Sequence, residues 1–142
     1  MRSGRGVVSD VRAASVAVMA AFYEAFNGGD IDAAVEFLHP QFEWRPAFGR
    51  ALMGHNVYLG RDGFRTYYRD IQDAFTGYRV ELQAIEAIED EVLLVHGSAS
   101  GTGRMSGAAI ARQFVMRYQL RDGLIVRGQT FRDRDEAVAS SD

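Results

Sequence analysis

The sequence predicts an α+β fold, a cone-shaped α+β barrel in which three N-terminal helices pack on a strongly bent, mostly antiparallel sheet. Two observations carry this expectation. Up to about Phe75, three segments repeat their apolar residues at helical spacing, whereas after Thr76-Gly77 the period switches to two and holds through four runs. Asp122-Gly123 then joins two long apolar, β-branched and aromatic runs, a strong short-range hairpin signal because glycine tolerates the positive φ of a tight turn. Helices grouped early and a meander grouped late argue for α+β and against a parallel α/β sheet. A bent sheet wrapped on three helices leaves a cone with one open end.

Taken in order, residues 1–9 read as a frayed leader and residues 10–140 as a single domain. Asp10 is placed to cap a first helix reaching Phe26, with Val11, Ala14, Val18, Phe22, Ala25 and Phe26 on one stripe. Asn27-Gly28-Gly29 ends it, and Asp30 caps a short second helix, IDAAVEFL, stopped by His39-Pro40. Gln41–Pro46 alternates as a strand, with Phe42 and Trp44 on one face and Glu43 and Arg45 on the other. Ala47–Gly60 is glycine-rich and reads as a loop with room for a small hairpin. Arg61–Phe75 is the third helix, with Phe64, Tyr68, Ile71 and Phe75 along its stripe. Tyr78 to about Ile88 is a strand, Glu89-Asp90-Glu91 a charged turn, and VLLVHGSASGTGR a long strand whose glycines 97, 101 and 103 suggest bends or bulges. The hairpin follows, and Asp133-Arg134-Asp135-Glu136 suits the start of a short terminal helix.

A chain of 142 residues that is 47% hydrophobic has enough material for one real core. Its net charge of -3 gives no electrostatic case for nucleic acid or an anionic membrane. No apolar run approaches the roughly 18 residues of a spanning helix, so a cytoplasmic location is expected. Cysteine is absent, which removes thiol nucleophiles, disulfides and thiolate metal sites. All 16 basic residues are arginine, which excludes a lysine Schiff base. His39, His55 and His96 lie in separate segments without metal-ligand spacing, so neither a metal nor a cofactor is expected.

Several stretches, in order along almost the whole chain, resemble the NTF2-like superfamily and within it the SnoaL-like (polyketide cyclase-like) domains. They are Phe26-Asn27-Gly28-Gly29-Asp30, Leu38-His39-Pro40-Gln41-Phe42-Glu43-Trp44, Gly60-Arg61-Asp62-Gly63 and Gly101-Thr102-Gly103-Arg104-Met105-Ser106-Gly107. Arg121-Asp122-Gly123-Leu124-Ile125 and Phe131-Arg132-Asp133-Arg134-Asp135-Glu136-Ala137 complete the set. The superfamily includes isomerases, dehydratases, epoxide hydrolases and polyketide cyclases, so fold does not bring function with it. Ketosteroid isomerase, a member of the superfamily, uses an aspartate base with a tyrosine and a protonated aspartic acid as oxyanion hole. An ungapped match of the flanking motifs puts Phe22 at the tyrosine, Pro46 at the base and Phe114 at the second aspartate. All three groups are missing, and steroid-type isomerisation is not implied. The resemblance is closest to the large SnoaL-like group without an assigned activity.

The same match turns Phe42, Trp44 and Pro46 inward from the first strand, and Arg112, Phe114, Met116 and Tyr118 inward from the hairpin's first arm. Gly128, Thr130 and Arg132 face inward from its second arm. Trp44, Phe114 and Met116 then form walls of a mostly aromatic pocket. Arg112 is the favoured polar candidate, able to hold a carboxylate or enolate bidentately, against a structural ion pair or a place at the rim. Arg132 has the same ambiguity, with Asp133 and Asp135 as local partners. His96 is the candidate general base, against a hydrogen-bonded structural histidine. His55 and Tyr58 lie in the glycine-rich loop expected over the mouth, against an ordinary solvated loop. Tyr68 would offer its hydroxyl to a substrate oxygen or simply pack, and His39 would close the second helix. Ser98 and Ser100 lack the Gly-x-Ser-x-Gly spacing of a nucleophile elbow, and Gly101-Thr102-Gly103 leads into a strand, unlike a dinucleotide fingerprint.

Three readings follow. In the first the chain is a cyclase, isomerase or dehydratase working on a hydrophobic carbonyl compound by acid-base chemistry, with Arg112 and His96 as catalytic groups. In the second it binds a hydrophobic small molecule without catalysis. In the third it is an interaction module, a homodimer packed through the outer sheet face.

Overall fold

The computed structural model describes residues 2–46 and 57–140. Helix α1 (Arg2–Asn27) begins well ahead of Asp10, so Asp10 lies inside it and does not cap it. Its stripe of Met19, Phe22, Tyr23 and Phe26 is buried. Gly29, at φ 78°, takes the left-handed conformation that ends the helix. Asn27 turns to the sheet, where its amide donates to the Val80 carbonyl at 2.7 Å and accepts from the Val80 N–H at 3.0 Å. A side chain thus satisfies an edge-strand peptide that would otherwise lack a partner.

Helix α2 (Ile31–Val35) is capped as expected, the Asp30 carboxylate accepting from the Ala33 N–H at 3.1 Å. It stops before the expected His39-Pro40, because Leu38 is already recruited to the sheet. Strand β1 (Leu38–Arg45) starts there, pairing Leu38 with Ile125, and the Ile125 N–H donates to Phe37 at 2.8 Å. His39 and Pro40 therefore sit in β1, within a register irregularity where a residue lacking an N–H is tolerated. His39 does not close a helix; its Nδ1 accepts from the Gln41 N–H at 3.0 Å. Phe42 and Trp44 are buried inward, while Glu43 and Arg45 pair outside at 2.7 Å.

Strand β2 (Tyr58–Leu59) runs antiparallel to β1 and leads into helix α3 (Gly60–Ala74). Of the adjacent tyrosines it is Tyr67, not the expected Tyr68, that joins Phe64 and Ile71 in the core. Both tyrosines fit helical spacing between Phe64 and Ile71, and contacts with Trp44 and Tyr58 hold Tyr67 inward. Tyr68 packs at its margin, edge-on to Phe26 with centroids 5.7 Å apart.

Strands β3 (Phe75–Glu89), β4 (Val92–Gly103), β5 (Ala109–Arg121) and β6 (Leu124–Phe131) form the meander, and α4 (Arg134–Ala139) closes the chain. The sheet has six strands in the order β2-β1-β6-β5-β4-β3; β1 and β6 are parallel and the other neighbours antiparallel. It curls without closing. The register slips between β3 and β4 at Thr76/Arg79, Leu82/Ala84 and Ala87/Glu89, each slip placing the extra residue in β3. The bulges expected at the β4 glycines thus belong to the partner strand, whose added residues bend the sheet. Gly97 instead makes room, since a Cβ there would lie 2.7 Å from the Glu81 carbonyl oxygen. The Asp122-Gly123 turn has φ of 53° and 80°, the two positive values of a type I′ hairpin.

Across the middle of the sheet, Gly128 pairs with Trp44 on one side and Tyr118 on the other. The two rings stack over it with centroids 5.9 Å apart and planes at 23°. A Cβ at Gly128 would meet Tyr118 Cε1 at 2.7 Å and Trp44 Cε3 and Cζ3 at 2.8 Å. Gly128→Ala is therefore expected to destabilise the fold by about 1–3 kcal/mol, the usual cost of overpacking. Urea unfolding checks this: the midpoint should fall with the slope unchanged.

Candidate functional site

Between the sheet's concave face and the helices lies a cavity of about 30 Å³. Helix α1 supplies Phe22, Tyr23 and Phe26, and α3 supplies Phe64 and Tyr67. The sheet adds Trp44 from β1, Tyr78 and Val80 from β3, Ala99 from β4, and Phe114 and Met116 from β5. Alternation turns Trp44, Phe114 and Met116 inward from their strands, while helical spacing brings Phe22 and Phe26 to meet them.

The polar atoms of this wall are phenol hydroxyls and one indole N–H. Tyr23 and Tyr118 share a short hydrogen bond at its base. The Tyr67 and Tyr78 hydroxyls interact, and burial pushes the Tyr78 phenol up to about 12. Burial likewise raises Tyr23, Tyr67 and Tyr118 well above the ordinary phenol value. All four are neutral at physiological pH and can both donate and accept. Trp44 Nε1 is buried and has no hydrogen-bond partner among the described residues. Among those residues no group of His, Asp or Glu is placed to hold a metal ion, and no helix is long and apolar enough to cross a membrane.

The sequence matches the SnoaL-like domain family over residues 19–128. The chain belongs to the SnoaL-like family. Its fold is that of NTF2-like proteins. TerC, in a crystal with polyporic acid, superposes with a TM-score of 0.74 at 21% identity, over 84% of this chain and 92% of that one. An NTF2-like protein of unknown function from Burkholderia pseudomallei gives 0.75 at 20% identity, over 88% and 95%. A candidate polyketide cyclase from Xanthomonas campestris gives 0.69 at 22% identity, over 91% and 97%. At this identity the likeness concerns the fold. No curated protein sequence matches the chain.

Within this SnoaL-like cone the expected site residues separate. Trp44, Phe114 and Met116 line the cavity together. Tyr118, also expected inward, is fully buried behind them through its bond to Tyr23. Arg112 is exposed at the open end, two residues beyond Phe114 on the same strand face, in a groove shared with Pro46 and Thr130. Arg132 edges that groove, its guanidinium held by Glu136 at 3.1 Å. Tyr58 is not a loop residue: it opens β2, is buried against Tyr67, and donates to Asp70 at 2.7 Å. Tyr68 stays outside the cavity wall, and His55 falls outside the described residues. His96 sits on the sheet face opposite Val95 and Ala99, with Nε2 3.4 Å from Glu86 Oε1. Sequence reasoning did not place Tyr23, Tyr67 or Tyr78 at the site; the Tyr23–Tyr118 pairing joins residues 95 apart, which no local pattern shows.

Two pH effects follow. Because the folded-state phenols titrate above the ordinary value of 10.0, their share of stability is complete below that pH and is lost above it. Absorbance titration should show most tyrosines ionising together with alkaline unfolding. At the acid end, hydrogen bonds chiefly from Arg134, then His96, hold Glu86 down at about 2 against an ordinary 4.5. Its contribution is present above about pH 4.5 and lost as the pH falls toward 2. Glu86→Gln should flatten that part of the acid stability profile.

Proposed function

We propose that this chain is a small-molecule-binding protein whose aromatic cone takes the hydrophobic, uncharged part of a compound. The observation that carries the reading is the composition of the described cavity wall: aromatic rings and aliphatic groups, with neutral phenols and an indole as its polar atoms. Removing apolar surface from water drives such binding, and a few fixed hydroxyls orient the ligand. A carboxylate on the ligand would be accommodated at the mouth, within reach of Arg112, and not at the base.

A catalytic version of the same reading, a cyclase, isomerase or dehydratase acting on a carbonyl compound, draws support from the candidate polyketide cyclase among the structural relatives. It needs a proton carrier at the bound compound. His96 lies on the opposite sheet face and is not assigned that role here. The paired phenols are the groups positioned to donate to a developing oxyanion.

Native mass spectrometry of the purified protein, followed by denaturation, tests these readings. A small molecule released on unfolding is the expected result, and adding it back should change the emission of Trp44. Recovery of the compound unchanged supports binding alone, whereas a changed mass supports catalysis. A protein that carries nothing and whose Trp44 emission responds to no hydrophobic carbonyl compound would overturn the reading. The same spectrum counts copies; a homodimer through the outer face, where Val115 and Phe131 are half-buried, would register at twice the chain mass.

A further inference from the structure

Trp44 is 5% exposed, yet its Nε1 has no partner among the described residues. Burying a donor unsatisfied costs on the order of 1–3 kcal/mol, so such a group calls for a physical explanation. The geometry around the indole supplies one. Its Cε3–Cζ3 edge rests on Gly128, where a Cβ would come within 2.8 Å of both atoms. Nε1 lies on the opposite long edge of the indole, buried and, among the described residues, without a partner. Phe64 and Tyr67 of α3 pack T-shaped on the indole at 5.7 and 5.4 Å, and they line the cavity with it. Stacking with Phe42 and Tyr118 holds the ring in that pose.

We propose that Trp44 is the specificity-determining donor of the cavity, its indole N–H binding the carbonyl oxygen of a flat hydrophobic ligand. This rests on the binding reading above and adds the ligand's polar group. The neighbouring phenols interact with one another, Tyr23 with Tyr118 and Tyr67 with Tyr78, and each both donates and accepts, whereas the indole N–H only donates and has no partner among the described residues. It therefore favours ligands that carry an acceptor over hydrocarbons of the same shape.

Trp44 is the only tryptophan, so a ¹⁵N-labelled sample shows one indole N–H resonance. Titration with 1-indanone, and with indane as the matched hydrocarbon, isolates the carbonyl. The expected result is a downfield movement of that resonance with indanone only, and about five- to tenfold tighter binding of indanone, the worth of one net hydrogen bond. Trp44→Phe should erase the preference while indane still binds. If indanone binds without moving the resonance, the donor role is overturned and the pocket stands. Retention of the preference by Trp44→Phe overturns it equally, and should that variant not fold, the wild-type resonance decides alone. If neither compound binds, the pocket reading falls and the donor role with it.

Discussion

Two large rings stacked over a single glycine, Trp44 and Tyr118 across Gly128, set the depth of the cone and the direction of nearly every group inside it. The contact joins β1 to the β5–β6 hairpin, which sequence places far from it, and requires the parallel β1–β6 register. Tyr118 is fixed on its other side by the hydroxyl of Tyr23, so the position of α1 depends on the same row. Trp44 in turn meets Phe64 and Tyr67, which ties α3 to it. Both helices that roof the cavity are thus referred to one position in the sheet where a side chain is missing.

The molecule separates its charges from its cavity. Ion pairs such as Glu43–Arg45, Arg65–Asp32 and Arg132–Glu136 lie on the outside or at the mouth. Arg117, buried on the outer face, donates to the Ala137 carbonyl at 2.9 Å and fastens α4 there. An ion moved from such places to the aromatic interior would lose hydration with little to replace it. Phenols and an indole avoid that loss because they are apolar over most of their surface and polar at one atom. Selection for neutral ligands therefore follows from the same composition that makes the core stable.

Much of the architecture was legible because local signals agreed with one another. The switch of hydrophobic period, the Asp122-Gly123 turn and the Asp30 cap each encode geometry over a few residues. Phe42 and Trp44, and likewise Phe114 and Met116, were legible as sharing a strand face because alternation is a local rule, and the family resemblance picked that face as the inward one. Two departures were decided by distant partners. The end of α2 yields to pairing of Leu38 with β6, and the choice between Tyr67 and Tyr68 depends on where Trp44 and Tyr58 stand. His96 looked like a proton carrier by its chemistry, but its face is set by the parity of β4, which puts it beside Glu86. Arg112 lies on the inner strand face as read, yet the strand has left the cone by that point.

The free volume at the base bears on how any ligand binds. A cavity of about 30 Å³ holds a water or two and no ring. A ring-sized compound must therefore displace side chains that now fill the cone. Most of the wall is fully buried and interlocked, whereas Phe114 and Tyr78 are only half-buried. Phe114 lies against Gly97, where a Cβ would come within 2.9 Å of its Cζ, so one side of its ring rests on bare backbone. Moving it costs packing but breaks no hydrogen bond. The measured affinity of a ligand then equals its affinity for the opened cone multiplied by the fraction of molecules that are open. A preference between two ligands of one shape is free of that factor, because both require the same opening, and it reports the polar contact alone.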